Sequence, residues 1–423
     1  MTVAEPGAAP GGHRVSGLLS AGAATLAEHR SLLGPLPGLG GQQLLALVGD
    51  AGLTGRGGGS FPTARKLALV AESGRAVVVA NGAEGEPASS KDRLLMGEAP
   101  HLVLDGLELA ARAARAQRRC LAAPADLLDT VVAPAVAERR GRVRLVAVPE
   151  GYVTGQETAV VAAVEGRPAR PFPPFEPLWR RGGVDGRPTV VLNVETLAHL
   201  ALIARFGAAW FRSRGAPDDP GSRLVTISGS VRWPGVWEAP GGTTLDELLG
   251  AAGGPTEPLQ ALLVGGYHGG WVPWTGHAEP LPLTRAGLEP HGAAPGAGVV
   301  VALPASSCGL RAAAGVAAYL AGETAGQCGP CLNGLPALAR HLDALAGGRD
   351  VRRSVAELER LAGVVDGRGA CRHPDGTARF VRSTLRAFRR EVTRHEAGHC
   401  SAPAPSAAQR GGPDERSRPW PPS

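Results

Sequence analysis

The stretch Gly52-Leu53-Thr54-Gly55-Arg56-Gly57-Gly58-Gly59-Ser60-Phe61-Pro62-Thr63-Ala64-Arg65-Lys66 organises the rest of the chain. Four glycines within 55–59 remove the β-carbons that keep backbone N–H groups away from a ligand. Pro62 fixes φ and suits the first turn of a helix, which the run Thr63 to Glu72 supplies. A glycine-rich turn feeding a helix N-terminus presents oriented amides and the positive end of a dipole, which is an anion site. Arg56 and Lys66 add full charges, so a phosphate-bearing cofactor is the expected occupant. The spacing matches neither the P-loop nor the dinucleotide fingerprint. A glycine-rich surface turn is the alternative.

Composition sharpens this reading. The chain holds 61 Gly and 37 Pro in 423 residues, and of its 44 basic side chains only Lys66 and Lys91 are lysines. A chain that uses Arg almost everywhere keeps Lys where a compact, rotatable ammonium is wanted. Asn is equally scarce, at Asn81, Asn193 and Asn333. Hydrophobic content of 43% supports real cores over two or three domains. No apolar run reaches the ~18 residues of a membrane helix, and the first residues lack a secretory pattern. A cytoplasmic protein, soluble or peripheral to a membrane complex, is expected. Net charge is +6, and residues 338–400 carry 13 Arg against 8 Asp plus Glu. Such a face suits an acidic partner. Nucleic acid is disfavoured, because no aromatics interleave with the arginines and no groove-reading motif appears.

Along the chain, residues 1–14 read as a flexible N-terminus. Helices are expected at Gln42–Val48, Thr63–Glu72 and Pro100–Ala114, and strands at Ala76–Ala80, Val143–Val148 and Thr189–Leu192. The first strand runs into the charged loop Asn81–Arg93. The second runs into Pro149–Thr158, with Glu157 at a helix start, where an acid is also an ordinary helix-cap residue. The third runs into Asn193-Val194-Glu195-Thr196 and a helix to Arg205. Strands alternating with helices make residues 15–220 an α/β domain, with ligands at the strands' C-terminal ends. Residues 221–304 read as a small α+β module with strands Leu224–Ser228, Ala261–Val264 and Gly298–Ala302 around a helix, Thr244–Ala252. Residues 305–400 are helical: Leu310–Leu320, Leu335–Ala346, Val355–Leu361 and Thr377–His399. The tail 401–423 has a disordered composition.

Six cysteines in a reducing compartment read as metal or redox ligands before disulfides. Cys328-Gly329-Pro330-Cys331 lies between two helices, and Cys371 follows forty residues on. An iron–sulfur cluster is the first reading, with Cys308 as a fourth thiolate. Zinc on Cys328, Cys331, Cys371 and His373 is the second, and a redox pair or buried free thiols the last. Cys120 reads as a core thiol and Cys400 as no ligand.

Five segments in order carry a family resemblance: Gly55–Thr63, Asn81–Arg93, Gly151–Ala159, Asn193–Leu197 and Gly326–Cys331. Together, over about residues 40–400, they resemble the NADH-binding flavoprotein subunit of respiratory complex I and its relatives in formate dehydrogenases and bidirectional hydrogenases. The resemblance implies a flavin-binding α/β domain, a β-grasp (SLBB-type) module and a C-terminal helical bundle with a [4Fe-4S] cluster. It implies FMN on Gly55, Arg56, Gly57, Gly58 and Lys66, with Asn81, Asn193 and Thr196 reaching its polar groups. Phe61 would face the nicotinamide of NADH. Glu84, Glu86, Tyr152, Gly155 and Glu157 would surround the dinucleotide, and Phe175 would stack near the adenine. The implied activity is NADH oxidation through FMN, with single electrons leaving by the cluster to an acidic ferredoxin-like carrier or other oxidoreductase subunits. The chain departs from the family's pattern at Leu69, Ala83, Gln156, Phe172 and Leu192. At Ala325 it lacks a cluster cysteine, which leaves a [3Fe-4S] cluster or a [4Fe-4S] cluster with a foreign ligand unless Cys308 replaces the lost thiolate. Two rivals follow: an electron relay or structural subunit without NADH binding, and a zinc-stabilised binding protein.

Overall fold

A computed structural model describes residues 7–8, 14–139, 141–173, 177–274 and 279–402. Phe175, most of the first fourteen residues and everything beyond 402 lie outside the described residues. The chain divides into two compact units. The first comprises Met1–Gly85, Ser90–Leu224 and Val236–Thr243, and the second Glu86–Ser89, Val225–Gly235 and Thr244–Ser423.

The first unit is built on four parallel strands: β1 (Val77–Asn81), β2 (Arg118–Ala123), β3 (Arg144–Ala147) and β4 (Thr189–Asn193), in the order β3-β2-β1-β4. Both faces of the sheet are covered, which is why β1 reads as unbroken apolar sequence. Val78 and Ala80 face one core, with Leu121, Ala123, Val190 and Leu192; Val77 and Val79 face another, with Cys120, Ala122 and Val191. The first core is closed by α1 (Gly41–Ala51), α2 (Thr63–Ala71), α3 (Lys91–Glu98), α4 (Pro100–Ala113) and α6 (Val194–Arg212). The second is closed by α5 (Glu157–Val164). The α/β expectation holds. Strand β2 was not foreseen, and it places Cys120 in the sheet interior.

A five-stranded mixed sheet follows: β5 (Ser222–Gly229), β6 (Gly235–Pro240), β7 (Leu259–Val264), β8 (Gly270–Pro273) and β9 (Val299–Pro304), in the order β6-β5-β9-β7-β8. Strands β9 and β5 run parallel, and β7 pairs antiparallel with both β8 and β9. Helix α7 (Leu245–Ala251) opens on a Thr244/Glu247 capping box. Strands β6 and β8 were not foreseen either.

The C-terminal part of the second unit is a bundle: α8 (Gly309–Gly322), α9 (Leu335–Ala346), α10 (Val351–Val365), α11 (His373–Ala387) and α12 (Arg389–Glu396). Successive helices from α8 to α11 pack on one another. The helix expected over Thr377–His399 is two helices, broken at Phe388. Among the described residues no helix is long and apolar enough to cross a membrane.

Candidate functional site

Strand order reverses between β1 and β4, and at such a switch point the connections leave in opposite directions and open a crevice. Asn81 and Asn193 sit opposite one another at that edge, each the last residue of its strand. Asn81 accepts from the Ala83 amide (3.1 Å) and donates to the Gly155 carbonyl (2.9 Å), tying the loop after β1 to the loop after β3. Those loops touch backbone to backbone. A β-carbon on Gly155 would lie 2.3 Å from the Ala83 oxygen, and one on Gly85 2.4 Å from the Tyr152 oxygen. Asn193 caps α6 by accepting from the Glu195 amide (3.0 Å) and donates to Asp92 (2.6 Å).

The glycine stretch folds over this edge as a narrow hairpin. The Thr63 amide donates to the Leu53 carbonyl and the Gly55 amide to the Phe61 carbonyl, each at 2.9 Å. Thr196 holds the loop from behind, its hydroxyl accepting from the Arg56 amide at 2.9 Å. A β-carbon on Gly57 would sit 3.3 Å from the Asn193 β-carbon, and one on Gly59 would meet nothing. Gly58 has φ +96°. The amides of Gly57, Gly58 and Gly59 find no acceptor among the described residues. Three consecutive unpaired N–H groups ahead of the α2 N-terminus form a concave anion cradle.

Charge is packed beneath the cradle. Lys91 is 2% exposed and donates to Glu195 (2.6 Å), to the Arg56 carbonyl (3.1 Å) and to Asp92 (3.2 Å). Burial opposes its charge, but Asp92 and Glu195 outweigh that and hold the ammonium above the ordinary lysine range. Burial likewise disfavours charge on Glu195; Lys91 and His199 reverse this and hold it well below the ordinary range. Burial pushes Asp92 up against the pull of Lys91. Arg56 is buried, donates to the Pro220 carbonyl (3.2 Å) and leaves Nε without a partner; burial and Arg223 draw it down to about 10. Lys66 donates to the Val191 carbonyl (2.8 Å) and pairs with Glu157 (3.1 Å) at the start of α5. Phe61 is half-buried, its ring 6.0 Å from that of Trp179. Glu84 accepts from the Asp92 (3.3 Å) and Arg93 (3.4 Å) amides. Glu86 belongs to the second unit, where it accepts from the Tyr267 (2.8 Å) and Ala88 (3.2 Å) amides.

In the bundle, Cys328 and Cys331 lie 3.5 Å apart, Cys331 on the short helical turn Pro330–Gly334 that leads into α9 and Cys328 just ahead of it. The Ala370 amide reaches the Cys328 sulfur, which draws in the loop carrying Cys371. Burial alone would raise the Cys328 thiol; the Ala370 and Cys331 amides hold it below the usual thiol range. Burial and Cys328 push Cys331 up to about 11, and burial raises Cys371. Cys371 is near enough for charge on it to be felt at Cys331, and charge on Cys328 to be felt at Cys371. His373 does not join them as a zinc ligand: it donates to the Leu320 carbonyl (2.8 Å), and its other nitrogen faces His268 (3.1 Å).

Cys308 is a correction. It is the N-cap of α8, whereas the Leu320 carbonyl that anchors His373 sits at the other end of that helix. Twelve residues at about 1.5 Å each set them ~18 Å apart. A thiol there cannot share a cluster with Cys371. Cys308 lies instead with Glu391, His395 and Cys400, their ligand atoms all within 4.8 Å of one another. Sequence reasoning missed Asp92, Glu195, Glu391, His395 and Cys400. The spacing Glu391–His395, one helical turn apart, was the only local signal.

Comparison with known proteins bears on both sites. Residues 48–202 match the family model of the Nuo51 FMN-binding domain, 224–266 that of the SLBB domain, and 311–395 that of the NADH-ubiquinone oxidoreductase-F iron-sulfur binding region. The chain is similar to the second NADH-quinone oxidoreductase F-subunit of Rhizobium meliloti, 32% identical over 377 residues that cover 84% of this chain and 88% of that one. The corresponding F-subunit of Salmonella typhimurium is 31% identical over 382 residues, covering 84% and 85%. An NAD+-reducing [NiFe]-hydrogenase in the H2-reduced state superposes with a TM-score of 0.75 at 31% identity, covering 84% of this chain. The chain spans 62% of that hydrogenase chain.

Proposed function

This chain belongs to the family of NADH-quinone oxidoreductase F-subunits, and from that premise we propose that it oxidises NADH through FMN and sends single electrons through an iron–sulfur cluster to a partner oxidoreductase. The observation that carries the reading is the cradle of unpaired Gly57, Gly58 and Gly59 amides over the switch point of a parallel sheet. It fits a phosphate-bearing flavin: among the described residues the amides find no acceptor and the buried Arg56 Nε no partner, and the β-carbons that would fill the space are missing. FMN, when bound, supplies the hydride acceptance and one-electron release that no side chain offers.

The residues divide the remaining work. Gly55 closes the hairpin through its amide bond to the Phe61 carbonyl, and Gly57 and Gly58 bring backbone up to the cofactor. Lys66 stands at the rim on α2. Arg56 contributes through its carbonyl and buried charge, and Thr196 positions the loop. Asn81 and Asn193 hold the strand ends while Lys91, Asp92 and Glu195 keep the floor rigid. Phe61 gives the nicotinamide an apolar wall that keeps water from the reacting faces. Glu84, Tyr152, Gly155 and Glu157 are assigned to the dinucleotide. The thiolates of Cys328, Cys331 and Cys371 would hold the cluster, as a [3Fe-4S] cluster or as a [4Fe-4S] cluster with a foreign ligand. Donor chemistry fits: a close Cys328–Cys331 pair, a third thiol that interacts with both, and backbone amides bonded to Cys328 are what an iron–sulfur site uses.

Anaerobic titration tests this. Protein reconstituted with FMN and iron–sulfur should lose its flavin absorption on adding NADH, and the cluster should then reduce. A relay that has lost NADH is the second reading. It is favoured by Phe172, which lies between the guanidinium groups of Arg181 (5.0 Å) and Arg167 (5.5 Å) where the family's pattern has a lysine. Flavin that bleaches with dithionite but not with NADH would select the relay.

A further inference from the structure

At the end of the bundle away from Cys328, Cys331 and Cys371, four side chains of different chemistry meet: Cys308, Glu391, His395 and Cys400. The first three are buried and Cys400 is half-buried. Their positions are built by separate devices. Cys308 is the N-cap of α8. Glu391 and His395 lie one turn apart on α12 and therefore share a face. Gly398, at φ +76°, ends that helix and turns the chain so that Cys400 comes back over the same face.

We propose that this cluster is a structural zinc site, with Cys308 Sγ, Cys400 Sγ, His395 Nε2 and one Glu391 oxygen as its four ligands. The distances suit it. Zinc bonds of about 2.3 Å to sulfur and 2.0 Å to nitrogen, at tetrahedral angles, set ligand sulfur and nitrogen about 3.5 Å apart. Cys308 Sγ lies 3.5 Å from His395 Nε2. The same geometry sets nitrogen and oxygen about 3.4 Å apart, and His395 Nε2 is 3.2 Å from Glu391 Oε1. The surroundings orient the ligands as metal sites do. His395 Nδ1 donates to the Leu345 carbonyl at 3.0 Å, which turns Nε2 toward the cluster. Glu391 accepts from the Ser401 amide (2.8 Å) and from Arg394 (3.2 Å). A hydrogen-bonded His–Glu pair alone would need neither cysteine, and a disulfide would need neither His nor Glu.

Four protein ligands leave no open position, so the ion is structural and not catalytic. It would tie the first residue of the bundle to the chain just beyond its last helix. This site is independent of the flavin and of the iron–sulfur reading.

The test is elemental analysis of the full chain purified from zinc-supplemented cells. Wild type should carry about one zinc per chain. Cys371→Ser should lose iron and keep zinc, whereas Cys400→Ser and His395→Gln should lose zinc and keep iron. Cobalt-loaded wild type, which needs no variant to fold, should show thiolate-to-cobalt charge transfer and the d–d bands of a tetrahedral site. Background zinc in wild type would overturn the proposal. So would zinc retained in both Cys400→Ser and His395→Gln, or a Cys308–Cys400 disulfide in protein prepared without oxygen.

Discussion

Lys91 shows what one side chain does here. It is one of only two lysines, and it sits without water between Asp92, Glu195 and the Arg56 carbonyl. Removing the ammonium leaves Glu195 buried beside an acid with its strongest counter-charge gone, a change that costs about 3–5 kcal/mol. Lys91→Met should lower the unfolding free energy obtained from urea titration by that much and weaken FMN binding, because the floor of the cradle loses its tie to Arg56. Retained stability and affinity would mean that the carboxylates simply take up protons. The rarity of lysine made Lys91 stand out in the sequence. Its partner did not, because Glu195 lies 104 residues on and nothing local marks the pair. A second buried acid gives a pH test. Asp105 meets His29 (2.8 Å), Arg139 and Arg205. Burial alone would raise its pKa, but His29, Arg205 and Arg139 outweigh that and hold it well below the usual carboxylate range. A depressed folded-state pKa contributes stability that is complete above the unfolded value of about 3.9 and is lost progressively as pH falls from there through the folded value. Urea midpoints measured from pH 6 down to pH 3 should drop below about pH 4 in wild type. Asp105→Asn should start lower at pH 6 and lack that part of the slope.

Among the elements, α4 and α6 cross where glycine lets backbones touch. A β-carbon on Gly106 would lie 1.9 Å from the Leu197 carbonyl oxygen. The obstacle is backbone, so no rotamer change relieves it. Gly106→Ala should push the helices apart, at a cost of about 2–3 kcal/mol by the overpacking rule. Because α6 begins with Asn193, Glu195 and Thr196, the same shift should lower FMN affinity. Isothermal titration with FMN checks this, and an unchanged affinity would show that the sheet edge is held independently of the crossing. Several helices, such as α4 and α9, were legible to within a few residues, since a 3.6-residue apolar period survives in any alanine-rich composition, but α3, whose first residues read as loop, was not. Strand β2 was not. Its apolar part is Cys120-Leu121-Ala122-Ala123 behind two arginines, and alanine carries little strand signal. The break at Phe388 was also hidden. No glycine or proline marks it; the ring packs against Trp271 at 5.1 Å, and only glycine at 309 leaves it room. Tertiary packing makes that break, and a one-dimensional reading cannot see it. For the same reason Cys308 was assigned to the wrong end of the bundle: sequence distance to Cys328 says nothing about which end of α8 the thiol occupies.

For the molecule as a whole, charge decides which partners come close. The net charge is +6, with the excess of arginine over residues 338–400. In the structure several of these arginines are spent on ion pairs with the bundle's own acids: Arg349 with Asp343, Arg360 with Glu357, Arg372 with Asp375 and Arg382 with Asp366. Arg340, Arg353, Arg368, Arg389 and Arg390 are exposed and appear in no ion pair among the described residues. Arg368 lies on the loop just before Cys371, and Leu332, 62% exposed, follows Cys331 directly. An apolar residue and a cation with no ion pair among the described residues, both next to these cysteines in the chain, would suit brief docking if the partner is an acidic electron carrier, because steering by charge raises encounter rates without tight binding. The rate of electron transfer from NADH-reduced protein to an acidic ferredoxin-type acceptor should fall at least ~10-fold as salt rises from about 0.05 to 0.5 M, since the screening length shrinks well below 10 Å. Arg368→Glu should slow that step several-fold at low salt and hardly at all at high salt, while flavin reduction by NADH stays as in wild type. Stopped-flow absorbance separates the two steps. A transfer rate indifferent to both salt and Arg368 would place the electron exit on another face, and would point to a fixed subunit contact instead of a diffusing carrier.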